Sequence, residues 1–404
     1  MRKSPLFVIA MIAVLAVWGP GSLAAAPSGQ PVRIGAISSL TGQFATFGSM
    51  ERAGYTLAQQ DINAAGGING RPLVIDLQDD TSNANTALTV AEQFLRSGAP
   101  LILGAYSSSV TKPLAVYMAR QRVPLLNSNS ADDSITRPGS DYVFRVGQTT
   151  DAYVRPFFEL FKKVGGIHTV AVLVSNNALG HSTEHSVISQ AEAQGYRVVF
   201  DQAYDEGLTD FRPVLNRIKD AHPDVLAMSS YDADAVALMR QIKEVNLNVK
   251  VFAGAGATGF AIPSFIKGGG ETVEYVITSA AWSPDVHYPK AQVLFGRLRA
   301  FLGGNDPSYH AVRAYAGALV AADALRRAKT PTPDAIRDAL LGTKLVTPFG
   351  PVAFANLDGF HNQNPLPSIL MQVQHGKYVT VWPAAVAIAQ VQYPAPAWSD
   401  RRAY

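Results

Sequence analysis

The sequence predicts an α/β protein built as two lobes, and three features point there. Short β-branched or apolar runs alternate with longer amphipathic segments from residue 32 onward. Two such series occur, separated by a polar stretch around 132–148. The chain has 404 residues, long for one domain at an allowance of about 150 residues each. Near-continuous apolar strands alternating with helices are the pattern of parallel sheets covered on both faces.

In order, strands are expected over 32–38, 73–76, 101–104, 123–127, 169–174, 196–200, 225–228, 249–253 and 276–279. Between them the apolar spacing predicts helices over 50–64, 84–96, 110–120, 152–163, 211–219 and 233–245. A polar loop carrying Pro138 and Gly139 leads to an isolated extended piece at 142–146. After 278–289 the pattern changes, and helices over 290–302, 311–329 and 333–341 follow without strands between them. The end returns to β signals at 351–354, 369–373 and 378–382, with a turn at His375-Gly376. The Pro- and Ala-rich tail over 384–404 is expected to be loosely attached. Each lobe is therefore read as non-contiguous: 31–146 with 280–350, and 147–279 with 351–383.

The first residues read as a leader rather than as part of the fold. Arg2 and Lys3 precede an apolar run from residue 6 to 18, Gly19, Pro20 and Gly21 break it, and small residues Ser22, Ala24, Ala25 and Ala26 follow. This predicts a cleavable secretory signal peptide over 1–26, since the run is shorter than the ~20 residues of a spanning helix. The product is expected to be exported and soluble. Losing Arg2 and Lys3 lowers the formal charge from +3 to +1. That balance, with 16% charged residues, argues against nucleic acid held by charge. The absence of cysteine excludes disulfides, a thiol nucleophile, Cys-ligated metal and a lipoprotein anchor.

Ligands of open parallel sheets gather at the carboxyl ends of strands, where helix N-termini present unpaired N–H groups. After the strand at 101–104 come Ala105, Tyr106, Ser107, Ser108 and Ser109, directly before a helix. Capping needs one hydroxyl, and three beside an aromatic suggest a carboxylate cradle. After 123–126 comes a second polar strand end, Asn127 to Asp133, for which a solvated turn is the plainer alternative. After 225–228 come Ser229, Ser230, Tyr231 and Asp232, where Asp232 either caps the next helix or meets a ligand.

Four segments carry a resemblance: Arg33-Ile34-Gly35-Ala36 through Leu40-Thr41-Gly42, the string Asp61-Ile62-Asn63-Ala64-Ala65-Gly66-Gly67-Ile68-Asn69-Gly70, Asp79-Asp80-Thr81, and Ser107-Ser108-Ser109 before a helix. Together they resemble the ABC-transporter substrate-binding proteins of the branched-chain amino acid type, in order over about 32–383. The resemblance implies a type I periplasmic binding protein fold, two Rossmann-like lobes with parallel sheets joined by a three-crossover hinge. The crossovers are matched to 142–146, the change near Ser279, and 348–360.

It further implies that Ser107 or Ser108, with Asn129, Ser130 and Ala131, holds a ligand carboxylate. Many relatives carry threonine where Ala131 stands, and Ser130 is the candidate replacement hydroxyl. A covering aromatic is matched by Leu179 in Leu179-Gly180, a second by Tyr231, and the acid that pairs with an amino-acid ammonium falls at Gly256. An enclosed ammonium needs a nearby negative charge. Either Asp232 supplies it, or the ligand carries a carboxylate and no ammonium. In the second case Phe47, Tyr106, Tyr231, Trp282 and Tyr309 are candidates to line an apolar or aromatic-acid site.

Two motif matches are set aside. Gly254-Ala255-Gly256-Ala257-Thr258-Gly259 has the G-x-G-x-x-G form, but Pro263 and Gly268-Gly269-Gly270 leave little room for the helix a dinucleotide site needs. His181-Ser182-Thr183-Glu184-His185 has an H-x-x-E-H order without an evident third ligand. No cofactor, metal or catalytic residue is expected. The function expected is capture of a small carboxylate-bearing solute by a monomer in the periplasm, with delivery to an inner-membrane ABC permease. A ligand-sensing module reporting to a receptor, or a secreted hydrolase, are the alternatives.

Overall fold

A computed structural model of the chain describes residues 26–401. Of the expected leader only Ala26 lies among them.

The chain forms two seven-stranded sheets, each flanked by helices. The first series comprises strands β1 (Val32–Ser38), β2 (Leu73–Asp79), β3 (Ile102–Leu103), β4 (Leu125–Asn127) and β5 (Val143–Arg145). It alternates with helices α1 (Ala45–Ala64), α2 (Ala84–Arg96) and α3 (Ser108–Gln121). The second comprises β6 (Thr169–Ser175), β7 (Arg197–Tyr204), β8 (Val225–Ser229), β9 (Val251–Gly254) and β10 (Ile277–Ala280). Its helices are α4 (Thr150–Val164), α5 (Ala178–Ala193), α6 (Arg212–Asp220), α7 (Asp232–Glu244) and the short α8 (Pro263–Gly269). Within each series every adjacent pair is parallel, which the helical crossovers between strands allow. β6 is buried along its whole length, which is why its sequence TVAVLVS does not alternate with polar residues.

The chain then returns to the first lobe as α9 (Ala291–Phe301), α10 (Tyr309–Arg327) and α11 (Pro333–Leu341). α10 lies against α1 at very close range: a Cβ on Gly54 would sit 2.3 Å from the Ala311 carbonyl oxygen. α9 is tied to α1 by Arg297, whose guanidinium donates to both Asp61 oxygens at 2.6 and 2.9 Å. Asn63 ties the same C-terminal end of α1 to β2, accepting from the Leu73 N–H at 2.7 Å and donating to its carbonyl at 2.9 Å. The string from Asp61 to Gly70 is thus an anchor between elements of lobe one.

The remaining strands are β11 (Lys344–Thr347), β12 (Gly350–Ala353), β13 (Ala355–Leu357), β14 (Phe360–Gln363), β15 (Ile369–Gln374) and β16 (Lys377–Trp382). β11 and β12 form a hairpin, and β15 and β16 extend the second sheet beyond β10. β13 and β14 join the first sheet beside β5, with Gln363 in register with Arg145. This corrects the expected start of the second lobe's last piece at 351: the return crossing lies between β14 and β15. The reason is the polar run His361 to Asn364, whose amides bond to lobe-one backbone. Asn362 donates to the Ser140 and Val143 carbonyls at 2.9 and 3.2 Å, and Asn364 to that of Val146 at 3.0 Å. The other two crossings run from β5 into α4 and from β10 towards α9.

The tail is also corrected. Trp398 donates its indole N–H to the Leu247 carbonyl at 2.7 Å and packs 5.8 Å from the Phe252 ring, while Gln392 exchanges hydrogen bonds with Gln372 at 2.8 and 2.9 Å. Its aromatics and amides, rather than its prolines and alanines, clamp it to lobe two.

Candidate functional site

The carboxyl ends of both sheets face each other across a cleft, and the lobes touch there. The Ala178 N–H donates to Ser109 Oγ at 3.4 Å, the Asp133 N–H to Ser182 Oγ at 3.0 Å, and the Thr258 N–H to the Tyr309 hydroxyl at 3.3 Å. Between them lies a cavity of about 10 Å³, the space of a single water. A larger ligand therefore enters by separation of the lobes or movement of the rings that fill the cleft.

Those rings come from both lobes. Phe47 and Tyr106 stack with centroids 4.6 Å apart and planes 11° apart, and Phe44 meets Tyr231 at 4.5 Å. Tyr106 lines the cavity, and its buried hydroxyl has no hydrogen-bond partner among the described residues. Burial raises the pKa of that hydroxyl well above its ordinary value, so it remains a donor. Such an orphaned group asks for an explanation.

The lobe-one floor is built on α3. Ser107 is its N-cap, its Oγ accepting from the Val110 N–H at 3.3 Å, and it does not line the cavity. Ser108 lines it, with Oγ accepting from the Asp132 N–H at 3.2 Å, which leaves the hydroxyl proton uncommitted. Asn129, Ser130 and Ala131 lie on the facing loop after β4. Ser130 Oγ is within 2.7 Å of the Tyr106 carbonyl and 3.1 Å of that of Ala105, and it also contacts Thr111 Oγ1. Its single proton is engaged by those carbonyls, so it braces the loop rather than replacing the hydroxyl that Ala131 lacks.

Asn129 is held from behind. Its Nδ2 donates to Glu51 Oε1 at 2.6 Å, and its Oδ1 accepts from Arg313 Nε at 2.9 Å. Glu51 also accepts from Ser38 Oγ at 2.5 Å. Complete burial pushes Glu51 up to about 7, against the lowering pull of Ser38 and Asn129. Arg313, itself buried, donates to the Tyr153 hydroxyl at 3.0 Å. Buried charges persist only when so connected.

Lobe two contributes Leu179, Tyr231, Gly256 and Thr258. A Cβ on Gly256 would lie 2.3 Å from Ser229 Oγ and 3.0 Å from Ser229 Cβ, so the backbone there approaches too closely for any side chain without a shift. Asp232 does not line the cavity; its carboxylate accepts from Ser264 Oγ at 2.9 Å within lobe two. Phe47 stands behind Tyr106 and Trp282 lies outside, whereas Tyr309 lines the cavity. Two lining residues escaped the sequence reading. Tyr153 looks like core of an amphipathic helix, and Thr258 hides inside the G-x-G-x-x-G string, which leads here through a 3-10 turn at Thr258–Ala261 into the seven-residue α8.

Residues 31–377 match the model of the periplasmic binding protein family. The chain belongs to this family. It is 25% identical over 362 residues to the leucine-, isoleucine-, valine-, threonine- and alanine-binding protein of Pseudomonas aeruginosa, covering 88% of this chain and 93% of that one. Among solved structures, it is similar in fold to the branched-chain amino acid transporter substrate-binding protein LivJ of Streptococcus pneumoniae in complex with isoleucine. The TM-score is 0.75 and the identity 22%, covering 90% of this chain and all of that one. An ABC transporter solute-binding protein from R. palustris in complex with 4-hydroxybenzoate gives a TM-score of 0.75 and 21% identity, covering 87% of this chain and 95% of that one. The two-lobed α/β fold of these periplasmic binding proteins is the fold of this chain.

Proposed function

We propose that this periplasmic binding protein captures a small carboxylate-bearing solute that lacks an α-ammonium, an aromatic acid above all, by closing its lobes on it in the periplasm, and delivers it to an inner-membrane ABC permease. The observation that carries the reading is the lining of the cavity: four tyrosines, hydroxyls, an amide and small apolar groups, with no acidic side chain among them. An ammonium enclosed there would lose its hydration without gaining an opposite charge, at a cost of several kcal/mol. A carboxylate would instead meet the N-terminus of α3, the free proton of Ser108 and the orphaned hydroxyl of Tyr106. The rings of Tyr106, Tyr231 and Tyr309 offer apolar faces to the body of an aryl acid. Of the two ligands held by the solved relatives, 4-hydroxybenzoate is the one whose charge suits this lining.

Thermal unfolding of the protein without its leader, with and without each ligand, tests this. A ligand that binds only the folded state at a 100-fold excess over Kd contributes about 2.7 kcal/mol. The expected result is a shift with benzoate and 4-hydroxybenzoate and none with leucine, isoleucine or valine. A shift confined to the amino acids overturns the reading.

A further inference from the structure

A second and larger cavity, of about 390 Å³, opens between the lobes on the other side of Tyr309, whose ring lines both. Its walls again come from both lobes. Trp282 and Phe295 lie face to face at 6.3 Å on one side, and Ile266, Met371 and Tyr378 lie on the other. The polar ends of its aromatics are spent elsewhere. The Trp282 indole N–H donates to the Pro348 carbonyl at 3.1 Å, and the Tyr378 hydroxyl reaches the Phe260 and Ile262 carbonyls at 2.7 and 3.0 Å. What they present to the cavity is ring surface.

The charges around it are asymmetric. Asp285 accepts from the Thr380 N–H at 3.3 Å and contacts Ser283 Oγ, and Asp306 pairs with Arg299 at 3.2 Å, so both acids are engaged. Lys267 and Lys377 also line the cavity and are exposed, and their side chains form no salt bridge or hydrogen bond among the described residues. An apolar slot of this size with two uncommitted cations complements a molecule with an apolar body and one anionic end.

We propose that this cavity is a second ligand site, distinct from the one beside Ser108, and that it takes an aryl or alkyl carboxylate with its apolar body against Trp282 and Phe295 and its anionic end between Lys267 and Lys377. An occupant touches both lobes at once, so it favours their closed arrangement, and a ligand that binds one state better shifts the population towards it. The inference stands whether or not the site beside Ser108 takes an aromatic acid.

Calorimetric titration with 2-naphthoate tests it on the protein without its leader, on the K267E/K377E variant and on Ser108→Ala. Both lysines are exposed, and an unchanged unfolding midpoint confirms that the charge reversal leaves the fold intact. The expected result is a binding event weakened tenfold or more in K267E/K377E and kept within threefold in Ser108→Ala. The absence of any binding event that the charge reversal weakens, or an event that both variants abolish together, overturns the second site.

Discussion

Asn129 and Arg313 are joined twice: the guanidinium Nε donates to Asn129 Oδ1 at 2.9 Å and Nη2 to its backbone oxygen at 3.2 Å. A helix that enters lobe one late in the sequence thereby fixes the conformation of a loop that faces the cleft. The same guanidinium reaches Gln148 and Tyr153 at the first crossing, so the loop and the hinge share one buried cation. Replacing Arg313 by Met leaves those acceptors and Glu51 without it. We expect a loss of about 3 kcal/mol or more in urea unfolding.

Glu51 gives the protein a specific pH dependence. Burial raises it from 4.5 to about 7, so between those values the folded chain holds a proton that the unfolded chain releases. Its contribution to stability is fully present below about 4.5 and is lost as pH rises through about 7. His310 acts in the opposite sense: burial, followed by the nearby Arg313 charge, holds it neutral well below 6.5, which favours folding above that pH. Comparison with Glu51→Gln isolates the carboxyl. The stability of the variant relative to the parent is expected to rise by roughly 3 kcal/mol between pH 4 and pH 8, read from unfolding curves at each pH.

Asp232 is engaged by Ser264 and lies off the cavity. Asp232→Asn keeps an acceptor for that bond, so ligand Kd measured by calorimetry is expected to stay within about threefold. A larger loss would show that the carboxylate reaches the ligand after all.

Gly256 has no room for an acidic side chain without a shift of Ser229. Gly256→Asp drives a Cβ into Ser229 and is expected to cost about 1–3 kcal/mol in thermal unfolding, the usual scale of overpacking. It should not confer leucine binding.

Much of the fold was legible because periodicity reports burial directly: β6 shows no polar alternation since both its faces are covered. Of the late strands, β12, β15 and β16 were legible as β signals, but β13 and β14 were not, because Asn362 and Asn364 look like a solvated turn until their backbone partners are known. The most distinctive string, from Asp61 to Gly70, marked the family through residues that anchor helices rather than touch the cleft. At the candidate site, chain order led to Ser108, Asn129 and Tyr231 because each follows a strand end. It could not separate Ser108, whose proton is free, from Ser130, whose proton is engaged by carbonyls, since that depends on atoms brought in from other loops. Asp232 misled for a similar reason: its Ser264 partner is 32 positions away.

Whether the ligand carries a carboxylate without an α-ammonium is decided by a matched pair. Leucine and 4-methylpentanoate differ only in that ammonium, so calorimetric titration of both, with benzoate as a third titrant, isolates it. 4-Methylpentanoate and benzoate are expected to bind at least tenfold more tightly than leucine, a difference of about 1.4 kcal/mol or more, and Ser108→Ala to weaken both acids at the site beside Ser108. Tight binding of leucine with no response to either acid would contradict this expectation.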